Sequence, residues 1–84
     1  MKYLIVKVLK PTDNSEPGLE HAIVFPDALM HRSVARAHHV GQVIVVSAGF
    51  CSFKNGIVST WGRSESIRMD SRPEDADIVA KVLG

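Results

Sequence analysis

The chain holds a single cysteine, Cys51, one tryptophan and one tyrosine among its 84 residues. One cysteine excludes an internal disulfide and fits a reducing compartment. Long apolar runs are missing too: none approaches the ~20 residues needed to cross a bilayer. The opening MKYLIVKVLK is interrupted by Lys7 and Lys10 and leads to no small-residue cleavage site, which argues against a secretory leader. Net charge is nearly absent, since ten basic and nine acidic side chains leave +1 at pH 7. No global field therefore favours a polyanion. The expected location is the cytoplasm.

What is present is a globular composition, 45% hydrophobic, on a chain too short for two cores. One domain spanning residues 1–84 is expected. A chain of this size buries only about 60–65% of its unfolded surface. Covering a sheet against a second copy is a common remedy, so a homo-oligomer, most simply a dimer, is expected.

The centre of the chain is Val43 to Thr60, VIVVSAGFCSFKNGIVST. Two apolar runs flank Asn55-Gly56, the dipeptide that suits a type I′ turn because both positions accept positive φ. The resulting register sets Lys54 against Ile57, Phe53 against Val58, Cys51 against Thr60 and Phe50 against Trp61. Gly49 and Gly62 would then meet near the far end, suggesting a bulge, a bend or a close backbone approach.

Before the hairpin, Tyr3 to Leu9 is apolar on both faces, as in a strand inside a sheet or at an interface. Pro11 to Gly18 is dense in turn formers and forms a loop, and Leu19 to Phe25 returns as an antiparallel neighbour. Asp27 suits a helix N-cap, and Ala28 to His38 carries an apolar stripe of Met30, Val34 and Ala37 beside Leu29, with Gly41 a stop. After the hairpin, Gly62 to Asp70 is polar and irregular. Ser71-Arg72-Pro73-Glu74 then reads as a helix start, with Ser71 as cap and Glu74 completing a capping box. Ala76, Val79, Ala80 and Leu83, widened by Ile78 and Val82, form the inward stripe. The order β-β-α-β-β-α implies an α+β fold, a four-stranded mainly antiparallel sheet with both helices packed on one face. The other sheet face would be exposed or paired with a second subunit.

Chemistry-bearing residues are sparse. His31, His38, His39 and Cys51 lack the spacings of a zinc site, so surface histidines and no metal are expected. Cys51 sits mid-strand between Phe50 and Phe53, where a thiol behaves as a small buried hydrophobe. Arg63-Ser64-Glu65-Ser66 is the most polar cluster left unexplained by capping, suited to an anion or a small polar ligand. No glycine-rich phosphate loop, nucleophile elbow or cofactor fingerprint accompanies it, and no cofactor is expected. Across Ala28 to Arg72 the bases Arg32, Arg36, Lys54, Arg63, Arg68 and Arg72 face only Glu65 and Asp70. Such a patch could contact phosphates, with Phe50 and Trp61 available for stacking.

The segments VVSAGFCSF, GIVSTWGRSES and SRPEDADIV, with AIVFPDALMHRSVARAH before them, resemble small uncharacterised proteins encoded by phages and prophages. The resemblance implies a cytoplasmic accessory protein of phage or prophage origin and draws notice to Gly62–Ser66 and Ser71–Asp75. It assigns no catalytic residue.

Three readings follow. The first is a non-enzymatic module that self-associates through Phe50, Trp61 and their face-mates. The second is a nucleic-acid accessory protein using Arg32, Arg36, Arg63 and Arg68. The third is an enzyme at Arg63–Ser66, which a histidine-bearing pocket at that loop would favour.

Overall fold

The computed structural model describes residues 1–8, 19–38 and 43–83. Leu9, the expected loop Pro11–Gly18, His39 and Gly41 fall outside the described residues. The order is β1 (Lys2–Val8), β2 (Glu20–Phe25), α1 (His31–His38), β3 (Val43–Lys54), β4 (Ile57–Trp61), β5 (Arg63–Ser64), β6 (Met69–Asp70) and α2 (Asp75–Leu83). The first four strands form one antiparallel sheet in the order β2-β1-β3-β4. β1, apolar on both faces, is interior as its pattern requires. The fold is α+β.

The hairpin pairs as its sequence dictates, from Lys54↔Ile57 to Phe50↔Trp61. Asn55 (φ 52) and Gly56 (φ 77) both take left-handed backbone, and the type I′ twist that follows matches that of the strands. The two glycines at the far end permit a close approach. A Cβ on Gly49 would lie 2.5 Å from the Trp61 carbonyl oxygen, and one on Gly62 (φ 84) 2.9 Å from the Phe50 ring.

The two helices lie on opposite faces of the sheet, which corrects the expectation of a single covered face. Leu4 and Ala48 pack with Val34 of α1, whereas Tyr3, Ile5 and Cys51 pack with Val79 of α2. Alternate residues of one strand thus enter different cores. The physical reason is β1 itself: apolar side chains on both its faces need cover on both. Each helix has only eight or nine residues and serves one side. A bulge in β3 adjusts the division. Ile5 pairs with Ser47 and Val6 with Val45, leaving Val46 without an opposite number. Val46 joins the α2 core while Ser47 bonds to Asp75 at the start of that helix, so two consecutive residues face the same way.

Residues 62–70, expected to be irregular, form the short antiparallel hairpin β5–β6, with Arg68 in left-handed backbone (φ 55). Its Ile67 and Met69 join Leu4, Phe25 and Val34 in the α1-side core. The layers are therefore α1 with β5–β6, the sheet, and α2.

Both helix starts differ from expectation. α1 begins at His31, and the Met30 carbonyl accepts the first bonds, from Ser33 and Val34. Asp27 sits in the preceding turn, closed by Leu29 N–H on the Pro26 carbonyl. The inward residues are His31, Val34 and Ala35, while Met30 and Ala37 are exposed. The side-chain bond that closes the start of α2 lies one residue later than Ser71/Glu74. Asp75 Oδ2 accepts from Arg72 N at 2.9 Å, and Asp75 N donates to the Arg72 carbonyl. Asp75 takes this role because it is buried and charged, whereas Glu74 is exposed. Val79 is fully buried, worth about 1.5–3 kcal/mol, but Val82 faces solvent.

Candidate functional site

Four in-register residues cross the sheet on the α1 side: Phe25, Lys2, Phe50 and Trp61. Over this row sits His31, the first residue of α1. Its ring meets Phe25 edge-on at 5.3 Å and Phe50 edge-on at 5.9 Å, and Phe50 in turn stacks on Trp61 at 6.5 Å. His31 is only 4% exposed and its Nε2 lies 2.9 Å from the Gly49 carbonyl oxygen. Burial holds its pKa below the ordinary value, with the Gly49 bond opposing more weakly.

Between His31 and the β5–β6 hairpin lies a cavity of about 280 Å³, lined by Lys2, Met30, His31, Phe50 and residues 63–66. The expected cluster Arg63, Ser64, Glu65 and Ser66 is therefore one wall of a real concavity. Ser64 is buried, with its Oγ 3.3 Å from Ser66 Oγ, and Ser66 Oγ accepts the Arg32 N–H at 3.2 Å. These bonds tie the hairpin to the first turn of α1. Arg63 is held by Asp70 at 3.0 Å and approaches Glu65 at 3.5 Å.

Strand order also decides where the arginines go. α1 and β5–β6 share a sheet face, so Arg32, Arg36, Arg63 and Arg68 belong to one side of the molecule. Arg32 and Arg36 border a second hollow of about 290 Å³ with Ala35, Val45 and Ile67. Among the described residues Arg32, Arg36 and Arg68 form no ion pair, whereas Arg63 does.

The opposite face carries a buried polar knot at the start of α2. Asp75, wholly buried, accepts from Tyr3 OH (2.6 Å), Ser47 Oγ (2.9 Å), Arg72 N (2.9 Å) and Arg72 Nε (2.9 Å). Arg72 also donates to Glu20 at 2.7 Å, fastening α2 to β2. Burial, then the bond and charge of Asp75, push the Tyr3 pKa above its ordinary value. With every donor of the knot answered, it is a structural lock.

Cys51 is buried in the α2-side core and burial pushes its thiol pKa up, so it stays a protonated hydrophobe. Among the described residues no three His, Cys, Asp or Glu side chains gather as metal ligands. No helix among them is long and apolar enough to cross a membrane.

Surface exposure of the histidines is corrected at His31. His21 is exposed, but His31 is buried in the site together with Ser64, and Lys2 and Met30 join them in the lining. The signal was the helical spacing His31–Val34–Ala35, which competes with Met30–Val34–Ala37 and places a histidine inward. Comparison with protein-family models, curated proteins and solved structures finds no match. The resemblance to phage and prophage proteins thus rests on the SAGF, GRSES and SRPED segments and the AIVFPDALMHRSVARAH stretch.

Proposed function

We propose that this protein is a non-enzymatic interaction module that self-associates by pairing β4 with β4 of a second copy. The observation that carries the reading is that β4 is an unpaired edge among the described residues, with no charged residue and no proline over Ile57–Trp61. Natural edges are normally guarded by such residues. Ile57 is 66% exposed and Trp61 50%.

The strand is suited to its own copy. Cys51 N donates to the Met1 carbonyl on the β1 side, so at the Cys51–Thr60 pair the ladder to β4 has no bond. Val58 and Thr60 then turn their N–H and C=O groups outward, as alternation in an antiparallel ladder requires. A two-fold axis at Ser59 sets Val58 against the partner's Thr60 with both bonds made, and Ile57 against the partner's Trp61. The edge opens onto a hollow of about 480 Å³ bordered by Ser59, Thr60, Ser71, Arg72, Pro73 and Ala76, which leaves room for an incoming strand. The expected contact residue Trp61 takes part directly; Phe50 supports it by stacking.

Ser59 is exposed, so substitution there spares the fold. Ser59→Lys opposes two ammonium groups across the axis and should shift sedimentation from dimer to monomer. Ser59→Cys should cross-link under mild oxidation. A wild-type chain that sediments as a monomer at 100-fold above its working concentration defeats the proposal.

A second reading is favoured by Arg32 and Arg36 bordering one hollow, with Arg32, Arg36 and Arg68 in no ion pair among the described residues. It makes the protein a nucleic-acid accessory factor contacting phosphates with these arginines and Arg63. Binding to a labelled single-stranded oligonucleotide should then weaken steeply with salt, and each Arg→Ala change at a contact should lower the salt slope by about one. Unchanged affinity in the triple variant removes this reading. Catalysis lacks comparable support, although the cavity does hold a histidine. His31 Nε2 is committed to Gly49, and no hydroxyl bonds to the ring among the described residues.

A further inference from the structure

The cavity under α1 has a defined pattern of donors and acceptors. Gly49 offers His31 a carbonyl, which can only accept, so Nε2 carries the hydrogen and the neutral ring presents a lone pair at Nδ1. No buried polar side-chain atom among the described residues lacks a partner. Nδ1, for which no partner is seen among the described residues, therefore keeps solvent access on a residue that lines the cavity. The edge-on rings of Phe25 and Phe50 keep the imidazole from turning.

The donors lie across from it. Ser64 and Ser66 have two hydroxyl hydrogens between them, and their mutual bond uses one; Ser66 Oγ accepts from Arg32 N. One hydroxyl hydrogen is thus left over. Lys2 Nζ spends one of its hydrogens on the Leu29 carbonyl at 2.9 Å and keeps two. Lys2 and Arg63 against Glu65 leave the lining at +1. Phe50 and Met30 supply the apolar surface. At about 280 Å³ the space stands at the small end of metabolite sites.

We propose that this cavity binds a small aromatic carboxylate bearing a hydroxyl group. The carboxylate is held by Lys2 and the Ser64–Ser66 hydroxyls, the ring lies against Phe50 and Met30, and the ligand hydroxyl donates to His31 Nδ1. This site shares Phe50 with the stack under Trp61, but none of its lining residues belongs to β4 and it does not depend on self-association.

Titration of the 15N-labelled full chain with 4-hydroxybenzoate tests it by amide NMR. Expected are saturable shifts centred on Lys2, His31, Ser64 and Ser66, with a dissociation constant of about 1 mM or tighter. Benzoate, without the donor, and 4-hydroxybenzyl alcohol, without the charge, should each bind about fivefold more weakly or worse, the worth of one net hydrogen bond. Lys2→Met and Ser64→Ala should weaken binding by a similar factor. Lys2 is part-exposed, so its variant keeps the test decisive if Ser64→Ala fails to fold. His31→Leu should erase the preference for 4-hydroxybenzoate over benzoate. Shifts that do not saturate, that centre elsewhere, or that are equal for all three probes overturn the proposal.

Discussion

Removing the Asp75 carboxylate is the sharpest test of how this fold is held. Four hydrogen bonds at 2.6–2.9 Å converge on a side chain with no solvent exposure. Asp75→Ala deletes both carboxylate oxygens, and with them all four bonds, and leaves Tyr3 OH and Ser47 Oγ buried without an acceptor. Each orphaned donor costs about 1–3 kcal/mol, and breaking a buried charged pair costs about 3–5 kcal/mol. Arg72 keeps Glu20, so its charge is not left unpaired and the two orphaned donors carry the loss, about 4 kcal/mol together. A domain of 84 residues has about 4–13 kcal/mol in all, at about 0.05–0.15 kcal/mol per residue. The variant should therefore be barely folded. In urea, where a domain this small loses about 1 kcal/mol per molar, its midpoint should fall by about 3–4 M, read from Trp61 fluorescence and circular dichroism. Tyr3→Phe is the milder control. It should cost about 1–2 kcal/mol alone and almost nothing beside Asp75→Ala, because its partner is gone. Midpoints for Asp75→Ala within about 0.5 M of wild type, or additive effects of the two changes, would refute the reasoning.

The pKa of His31 is lowered on folding from an ordinary 6.5, so the unfolded chain binds the proton more readily. Stability is complete above pH 6.5 and is lost as pH falls toward the folded value; urea midpoints should decline there in wild type and not in His31→Leu. The Glu20 pKa is also lowered, chiefly by its bond from Arg72, from 4.5. Its contribution is complete above that pH and fades as pH falls through the folded value, and Glu20→Gln should flatten this more acidic part of the profile. Gly49→Ala drives a Cβ to 2.5 Å from the Trp61 carbonyl, and should cost more than about 2 kcal/mol by splaying β3 from β4. Gly56→Ala meets no atom within 4 Å but must hold φ 77. It should cost only about 1 kcal/mol, and a larger loss at Gly56 than at Gly49 would contradict this account.

The hairpin was readable in full because Asn55-Gly56 is a local signal, and register follows once a two-residue turn is set. β1 was readable as interior because its apolar positions do not alternate. The same observation already contained the two-sided core, since apolar side chains on both faces of one strand cannot be served by helices on one side. The bulge at Val46 was not readable: nothing local marks it, and it arises where β3 must present both Val46 and Ser47 to α2. At the candidate site, the polarity of Arg63–Ser66 drew notice to residues that line the cavity. His31 and Lys2 were missed because they arrive from α1 and β1, distant in sequence, and only strand order brings them there. Asp75 stands next to the sequence's apparent capping box, and only its depth in the fold makes it the centre of a bonded knot.

The two-sided core also has a consequence for how the native protein breathes. α2 is latched to β1, β2 and β3 by the Asp75–Arg72 knot, whereas α1 is held by His31, Val34, Ala35 and the Ser66 bond. Because the cores lie on opposite sides of β1, α1 can lift without exposing Val79. Amide hydrogens of α1 should therefore exchange through a sub-global opening well below the free energy of complete unfolding, with α2 and β1 exchanging only at the global limit. The sheet with α2 is a platform, and the α1 layer, which roofs the cavity, is its hatch.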